Sequence, residues 1–277
     1  MAASPETKPG RHDRMLEAYG FGLFALPRYT EAKGGARGET WHLRHHLPSM
    51  SEGYLTQSFV EGNRFVLYEG RKPWMSTGLF EVESHAWHVQ AAHGLVVVAG
   101  LGMGMYAYAV SQKPEVTQVV IIERDPRVAE VLEQAATFSN WPGRAKIQLL
   151  LADALDEDLA AKVALFTGGE AADYFYSDIW PVTPDASAPL QAKAMVERLA
   201  PKAAGLWGQE FNYGAWCLKQ GREADEESLR DYFAGWAMPV PVTAGYLAFC
   251  RDLLAANRAY LAPRKEASGF WRRLFGR

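Results

Sequence analysis

Cysteine is scarce in this 277-residue sequence, which contains only Cys217 and Cys250. Two isolated cysteines provide neither the spacing of a metal site nor the framework of a disulfide-rich secreted domain. An excess of one charge is also absent, since 29 lysines and arginines stand against 32 aspartates and glutamates. This balance does not favour a basic nucleic-acid surface, and we expect no nucleic-acid partner.

Long apolar runs are missing as well. No run reaches the roughly 18 residues that would be needed to span a bilayer, so we expect no membrane span. The first ten residues are polar and lack the apolar stretch of a signal peptide. We therefore expect a cytoplasmic protein. Hydrophobic residues nevertheless make up 48% of the chain, which predicts a sizeable core rather than disorder.

The most informative segment is an apolar run that breaks into alternating glycines. Residues 96–99 are Val-Val-Val-Ala, and Gly100, Gly102 and Gly104 follow. A helix-like segment at 106–112 comes next, and then a second apolar run at 119–122 that ends in Glu123. The order strand, glycine turn, helix, strand and acid is typical of parallel sheets that bind a nucleoside-bearing cofactor.

The alternation of strands and helices continues along the chain. Strands are predicted at 146–151, 173–177 and 205–211, and helices at 81–92, 126–138, 155–166 and 189–199, with a mostly helical stretch at 226–260. This pattern predicts an α/β fold with a Rossmann-like doubly wound sheet.

A small β-rich N-terminal extension is expected ahead of this sheet. A strand is predicted at 41–46, and a hairpin is predicted between 54–61 and 64–69 around the turn signal Gly62-Asn63. We therefore divide the chain into a disordered leader at 1–14, a β-rich subdomain at 15–71, a Rossmann-like domain with a helical C-terminal part at 72–262, and a basic aromatic tail at 263–277.

The spacing of the glycines bears on the cofactor. A dinucleotide site needs Gly-x-Gly-x-x-Gly, but here the third position of that pattern is Met105. The Gly-x-Gly-x-Gly turn with an acid closing the next strand instead resembles class I S-adenosylmethionine-dependent methyltransferases. The resemblance implies that Glu123, with Arg124 beside it, binds the ribose hydroxyls. It also implies that the turn approaches the cofactor through Gly100, Leu101, Gly102, Met103 and Gly104.

Two later positions agree with the same family. Asp153 and Ala154 follow the third strand and resemble the acidic turn that binds the adenine amino group. Asp178 follows the fourth strand, where the resemblance places the reactive sulfonium, and is expected to serve both cofactor binding and catalysis. Trp180 is expected to wall the acceptor pocket or to face the sulfonium.

A narrower resemblance is carried by Glu123, Asp125 and Val128, which match the Glu-x-Asp-x-x-Val signature of spermidine-synthase-like proteins. Two positions depart from that subgroup. Aminopropyltransferases have an acid in the glycine turn, where this chain has Met103. They also have a second aspartate after the strand-four aspartate, where this chain has Ile179 and Trp180.

Three functions follow as hypotheses. The first is an S-adenosylmethionine-dependent methyltransferase that acts on a small-molecule acceptor such as an amine. The second is a spermidine-synthase-like aminopropyl or aminocarboxypropyl transferase that uses decarboxylated S-adenosylmethionine and releases methylthioadenosine. The third is a non-catalytic nucleoside-binding interaction domain. A homodimer is compatible with each of them. His85 and His88 have a spacing that could ligate a metal, but no third ligand follows, and we predict no metal site.

Overall fold

The main sheet of the protein has five parallel strands in the part of the chain that the structure describes. This structure is a computed structural model, and it describes residues 16–33, 41–56 and 58–261. The predicted leader and the predicted tail lie outside the described residues. The strands of the main sheet are β7 (Gly94–Ala99), β8 (Val116–Glu123), β9 (Ile147–Leu151), β10 (Tyr174–Ser177) and β11 (Ala204–Leu206).

The strand order of this sheet is β11-β10-β7-β8-β9, and every neighbouring pair is parallel. The order reverses between β7 and β10, because the chain first winds outward through β8 and β9 and then returns to the other side of β7. This topology confirms the predicted Rossmann-like doubly wound fold. Ligands bind such sheets at the carboxyl ends of the strands beside the reversal, which is where the glycine turn and Asp178 lie.

The residues before β7 form two smaller sheets. Four antiparallel strands are ordered β1-β2-β5-β6, and a separate two-stranded ribbon pairs β3 with β4. The β-rich N-terminal extension is thus present. The strand bounds are Ala32–Lys33, Trp41–His46, Ser49–Ser51, Phe59–Glu61, Arg64–Glu69 and Lys72–Ser76 for β1 to β6.

Eight α-helices with assigned bounds lie among the described residues, together with two short 3-10 helices at Phe138–Asn140 and Arg144–Lys146. Their bounds are α1 (Leu79–Ala91), α2 (Met105–Ser111), α3 (Pro126–Ala136), α4 (Leu159–Thr167), α5 (Ala188–Leu199), α6 (Gln209–Gln220), α7 (Glu226–Gly235) and α8 (Ala244–Leu261). None of the helices in this part of the chain combines the length and the apolar character that crossing a membrane requires.

Both faces of the main sheet are buried. Val97 and Ala99 on β7 join one apolar cluster, while Val96 and Val98 join the other. The first cluster packs mainly against α4 to α8, and the second packs against α2, α3 and the N-terminal sheet. Burial on both faces explains why the strand residues form an uninterrupted β-branched run instead of an alternating pattern.

The predicted hairpin between 54–61 and 64–69 is wrong. Strand β4 pairs with β3, and β5 pairs with β2 and β6. The β2–β5 pairing places Leu43 opposite Leu67, and both side chains are buried in the core. Tyr54 and Leu55, which the prediction placed in a strand, are buried in the core outside any strand. Strand β6 follows β5 in the same sheet, so the N-terminal sheet extends beyond residue 71 to Ser76.

The predicted fifth strand, 205–211, is correct only in its first part. Strand β11 ends at Leu206, and Gly208 then adopts a positive φ of 74° and starts α6. An alanine at this position would place its Cβ 1.8 Å from Thr183 Oγ1, so close packing as well as the turn requires glycine. Phe211 therefore lies in a helix, where its ring stacks on that of Tyr54.

A buried carboxylate joins the helical layer to the N-terminal region. Glu210 on α6 is 1% exposed, and its oxygens accept hydrogen bonds from Tyr54 Oη at 2.9 Å and Tyr246 Oη at 2.8 Å. Burial raises the pKa of Glu210 from 4.5 to about 7, although the hydrogen bonds to its carboxylate oppose the rise.

We expect Glu210 to make unfolding pH-dependent. Because its pKa is raised in the folded state, the protonated form stabilises the fold fully below pH 4.5, and this contribution is lost as the pH rises through about 7. Between pH 4.5 and about 7, the free energy of unfolding measured in urea should fall by about 3 kcal/mol more for the native chain than for Glu210→Gln. Glu130→Gln, at an exposed site on α3, should keep the native pH dependence. Parallel curves for the native chain and Glu210→Gln would contradict the prediction.

Candidate active site

The glycine turn between β7 and α2 exposes backbone rather than side chains to a cavity. Gly100 has a φ of 97°, and its N–H donates to Ile122 O at 2.8 Å. A Cβ at this position would lie 2.1 Å from the backbone oxygen of Asp178. Gly100 therefore allows the chain after β7 to pass directly against the chain after β10.

Glu123 lies at the end of β8 and faces this turn. Its Oε2 accepts from the Leu101 N–H at 3.0 Å, and its Oε1 accepts from the Asp125 N–H at 2.9 Å. Burial raises the pKa of Glu123, and hydrogen bonds from the backbone oppose that rise. Each carboxylate oxygen keeps a second lone pair, so Glu123 can accept hydrogen bonds from a ligand without releasing the turn.

A cavity of about 250 Å³ opens at this edge of the sheet. It brings together eight of the residues predicted from the sequence as site residues. They are Gly100, Gly102, Glu123, Arg124, Asp153, Ala154, Asp178 and Trp180.

Three other predicted residues do not line the cavity. Leu101 and Met103 point into the core and are 5% and 1% exposed. Gly104 precedes α2, and a Cβ there would meet the ring of Trp141 at 2.4 Å. These residues shape the turn from behind, so any contact that they make with a ligand must come from backbone atoms.

Asp153 and Ala154 stand on the turn that follows β9. The Oδ1 of Asp153 accepts from the Leu155 N–H at 2.9 Å, which holds the turn in place. No hydrogen bond from the described residues reaches its other oxygen, which leaves an acceptor at the cavity for a ligand N–H.

Asp178 occupies the end of β10. Its N–H donates to Ala99 O at 2.8 Å, and its Oδ2 lies 3.1 Å from Nε2 of His85 on α1. Trp180 follows in the same loop and is 5% exposed, with its indole N–H bonded to Gln191 Oε1 at 2.6 Å. The bond to Gln191 fixes the indole as a wall rather than a mobile side chain.

A second, smaller cavity adjoins the first at Trp74, Gly102, Asp178 and Trp180, and its volume of about 10 Å³ is about the least that admits one water. Its other lining residues are Met75, Glu81 and Trp207. Burial raises the pKa of Glu81 to about 8, with the His85 charge opposing the rise and the Asp178 charge adding to it. This small space is therefore walled by three indoles and two acids.

Sequence reasoning did not place Trp41 or Glu81 at these cavities. Trp41 and Trp74 come from the N-terminal sheet, and their rings meet edge to face at 5.2 Å. The Trp41 indole N–H donates to Asp125 Oδ2 at 2.8 Å, which fastens the sheet to the loop after Glu123. Glu81 lies in the first turn of α1, where its sequence context does not distinguish it from an ordinary helical acid. These residues reach the cavities only because the N-terminal sheet and α1 dock on the main sheet. No local sequence motif signals that docking.

The described residues contain no group of three side chains able to hold a metal ion. His85 pairs with Asp178. The ring of His88 is directed elsewhere, with Nδ1 2.9 Å from Tyr174 Oη and Nε2 3.9 Å from Glu210 Oε1. The two histidines therefore point to different partners despite their spacing on one helix.

The sequence matches no protein-family model, and it matches no curated protein. Among solved structures, the chain is similar to a spermidine synthase from Thermotoga maritima, at 17% identity and a TM-score of 0.34, over 73% of this chain and 65% of that one. A spermidine synthase in complex with the transition state analogue AdoDATO gives 16% identity, a TM-score of 0.33 and the same coverage.

The methyltransferase domain of bacterial CtHen1 is also similar, at 14% identity and a TM-score of 0.30, over 40% of this chain and 55% of that one. The chain spans less than two thirds of the length of each of these three proteins. At this level of identity the likeness concerns the fold alone.

We expect Gly100→Ala to disrupt the site. The methyl group would meet the Asp178 carbonyl, and the φ of 97° is strained for any residue with a Cβ. The variant should lose about 2 kcal/mol or more of unfolding free energy in urea titrations. Gly62→Ala is the matched control, because a Cβ at Gly62 meets open space and no positive φ is required there. Equal stability of the two variants would contradict the assigned geometry.

Proposed function

We propose that this chain binds an S-adenosylmethionine-type nucleoside in the larger cavity and transfers a group from its sulfonium to a small acceptor. The observation that supports this most is the position of Glu123, whose carboxylate touches the glycine turn and lines the cavity. In the proposal the ribose hydroxyls donate to Glu123, and the adenine amino group donates to Asp153. The sulfonium lies toward Asp178 at the junction of the two cavities.

The acidic lining suits such a cofactor. Glu123, Asp153 and Asp178 all line the larger cavity, where Arg124 is the one basic residue among the described lining residues. A sulfonium carries a positive charge, which carboxylates attract and indole faces also favour. A polyphosphate ligand would instead be repelled by three acids. The lining thus favours a cationic nucleoside over a nucleotide.

Transfer from a sulfonium is an in-line displacement, in which positioning and exclusion of water supply most of the rate. Trp74, Trp180 and Trp207 enclose the smaller cavity and limit access of water. If the acceptor is an amine, it must lose a proton to attack, and Asp178 lies where it could accept that proton. Methyl transfer to a small acceptor is therefore the first candidate reaction.

Transfer of the propyl chain of decarboxylated S-adenosylmethionine is the second candidate. One observation favours it: the smaller cavity presents Glu81 and Asp178 and, among its described lining residues, no lysine or arginine. A donor with an α-carboxylate at this end would face the like charge of Asp178 and no lysine or arginine to balance it, whereas a decarboxylated donor would not. Glu81, with its pKa raised to about 8, is largely protonated at neutral pH and adds little charge. Met103 counts the other way, because aminopropyltransferases have an acid at that position of the turn.

We expect Glu123→Gln to bind S-adenosylmethionine roughly tenfold more weakly or worse, because a charged acceptor of two hydroxyl hydrogen bonds is lost. Isothermal titration calorimetry measures the dissociation constant directly. Glu130→Gln, which is exposed on α3 away from the cavity, should bind like the native chain. An unchanged dissociation constant in Glu123→Gln would count against the proposed ribose contact.

The leaving product distinguishes the two reactions. We expect incubation with S-adenosylmethionine and a panel of small amines to yield S-adenosylhomocysteine, measured by mass spectrometry. Decarboxylated S-adenosylmethionine is supplied in a parallel reaction with the same panel. Stoichiometric methylthioadenosine would replace the first candidate with the second. Tight donor binding without either product would favour the non-catalytic nucleoside-binding hypothesis.

A further inference from the structure

His85 is a buried polar side chain directly behind Asp178. It lies on α1 and is 1% exposed, so its ring nitrogens must find partners within the protein. Nδ1 lies 2.6 Å from the backbone oxygen of Glu81, and Nε2 lies 3.1 Å from Asp178 Oδ2. Both partners are oxygen acceptors.

The two acceptors determine the protonation of the ring. A backbone carbonyl can only accept, so Nδ1 must carry a proton. A neutral imidazole has a single N–H, and Nε2 would then face the carboxylate without one. The arrangement is fully satisfied when His85 is an imidazolium that donates from both nitrogens and Asp178 is ionised.

The remaining neighbours leave Asp178 as the principal anionic partner. Ser84 Oγ lies 3.3 Å from Nδ1 but donates to the Glu81 carbonyl, and the rings of Tyr106 and Tyr176 pack around the imidazole. Burial lowers the pKa of His85, but the bond to Asp178 and the charges of Asp178 and Glu81 outweigh burial and raise it. His88, one turn along the helix, has a pKa held well below its usual range by burial.

The consequence for Asp178 is a fixed orientation. His85 holds Oδ2, and no hydrogen bond from the described part of the chain reaches Oδ1. Asp178 lines both cavities, and its side chain is 17% exposed. One oxygen is therefore committed to the protein while the other stays available to a ligand.

We propose that His85 is a positioning residue, an imidazolium that holds Oδ2 of Asp178 and leaves its Oδ1 free to face the cationic centre of the donor. This role rests on the proposed function, because it requires a sulfonium next to Asp178. His85 does not touch the reacting atoms itself and acts only through the carboxylate.

The protonation is tested without any reaction. Nitrogen-15 NMR of the histidine side chains should show both nitrogens of His85 protonated at pH 7. In Asp178→Asn the same ring should be neutral at pH 7, because the charge that retains its second proton is gone. A singly protonated His85 in the native chain, or an unchanged imidazolium in Asp178→Asn, would overturn the pairing.

The consequence for binding is tested with two probes that differ in charge. S-adenosylmethionine carries the sulfonium, and S-adenosylhomocysteine has a neutral sulfur in its place. The native chain should bind the sulfonium form more tightly. In Asp178→Asn the ratio of the two dissociation constants should fall about tenfold, as expected for the loss of one charged contact. His85→Phe keeps a ring but no N–H, and it should lose a similar amount. His85→Gln can still donate one hydrogen bond and should retain part of the preference.

His88→Gln is the matched control, since His88 lies on the same helix, is equally buried and lines neither cavity. It should keep the native ratio of the two dissociation constants. A native ratio in a folded His85→Phe would overturn the positioning role. If the native chain binds neither nucleoside, the proposed function and this role both fail, while the NMR result still decides the His85–Asp178 pairing separately.

Discussion

The structure depends most on the contact between the Glu123 carboxylate and the Leu101 N–H. This bond joins the end of one strand to the bend after its neighbour, and it keeps the backbone of the bend turned toward the cavity. Leu101 and Met103 pack the rear of the turn into the core, but its three left-handed glycines have no side chain to restrain the backbone that faces the cavity. The buried acid supplies the missing restraint, while its spare lone pairs remain directed at the space that a nucleoside would occupy.

The N-terminal sheet completes what the parallel sheet begins. Tyr29 donates to Met103 O at 2.7 Å, the Met103 N–H is directed at Met75 Sδ at 3.0 Å, and Trp41 bonds to Asp125. The glycine turn is therefore held by both sheets: Met103 is bonded to the N-terminal sheet at Met75, and Leu101 is bonded to the main sheet at Glu123. Two indoles of the N-terminal sheet reach the cavity, so its lining comes from both parts of the chain.

Features that depend on local sequence were predictable. The β-branched run before Gly100, the acid that ends β8 and the alternating helices specify their own structure through periodicity and turn chemistry. The hairpin prediction failed because the pairing of Leu43 with Leu67 across a long connection decides the register, and Gly62-Asn63 carries no information about distant partners. Glu81, Trp41 and the His85–Asp178 pair were beyond prediction for the same reason, since residues far apart in sequence meet there only through docking of whole elements.

Trp74, Gly102, Asp178 and Trp180 line both cavities, so a molecule in either space contacts some of the same residues. Two molecules that contact the same side chains are expected to have coupled binding free energies. Thermodynamic reciprocity then requires that a donor which alters the affinity of the acceptor is itself tightened or loosened by the acceptor to the same degree. The shared residues make such coupling a property of the architecture, and because coupling is reciprocal its size is the same whichever molecule binds first.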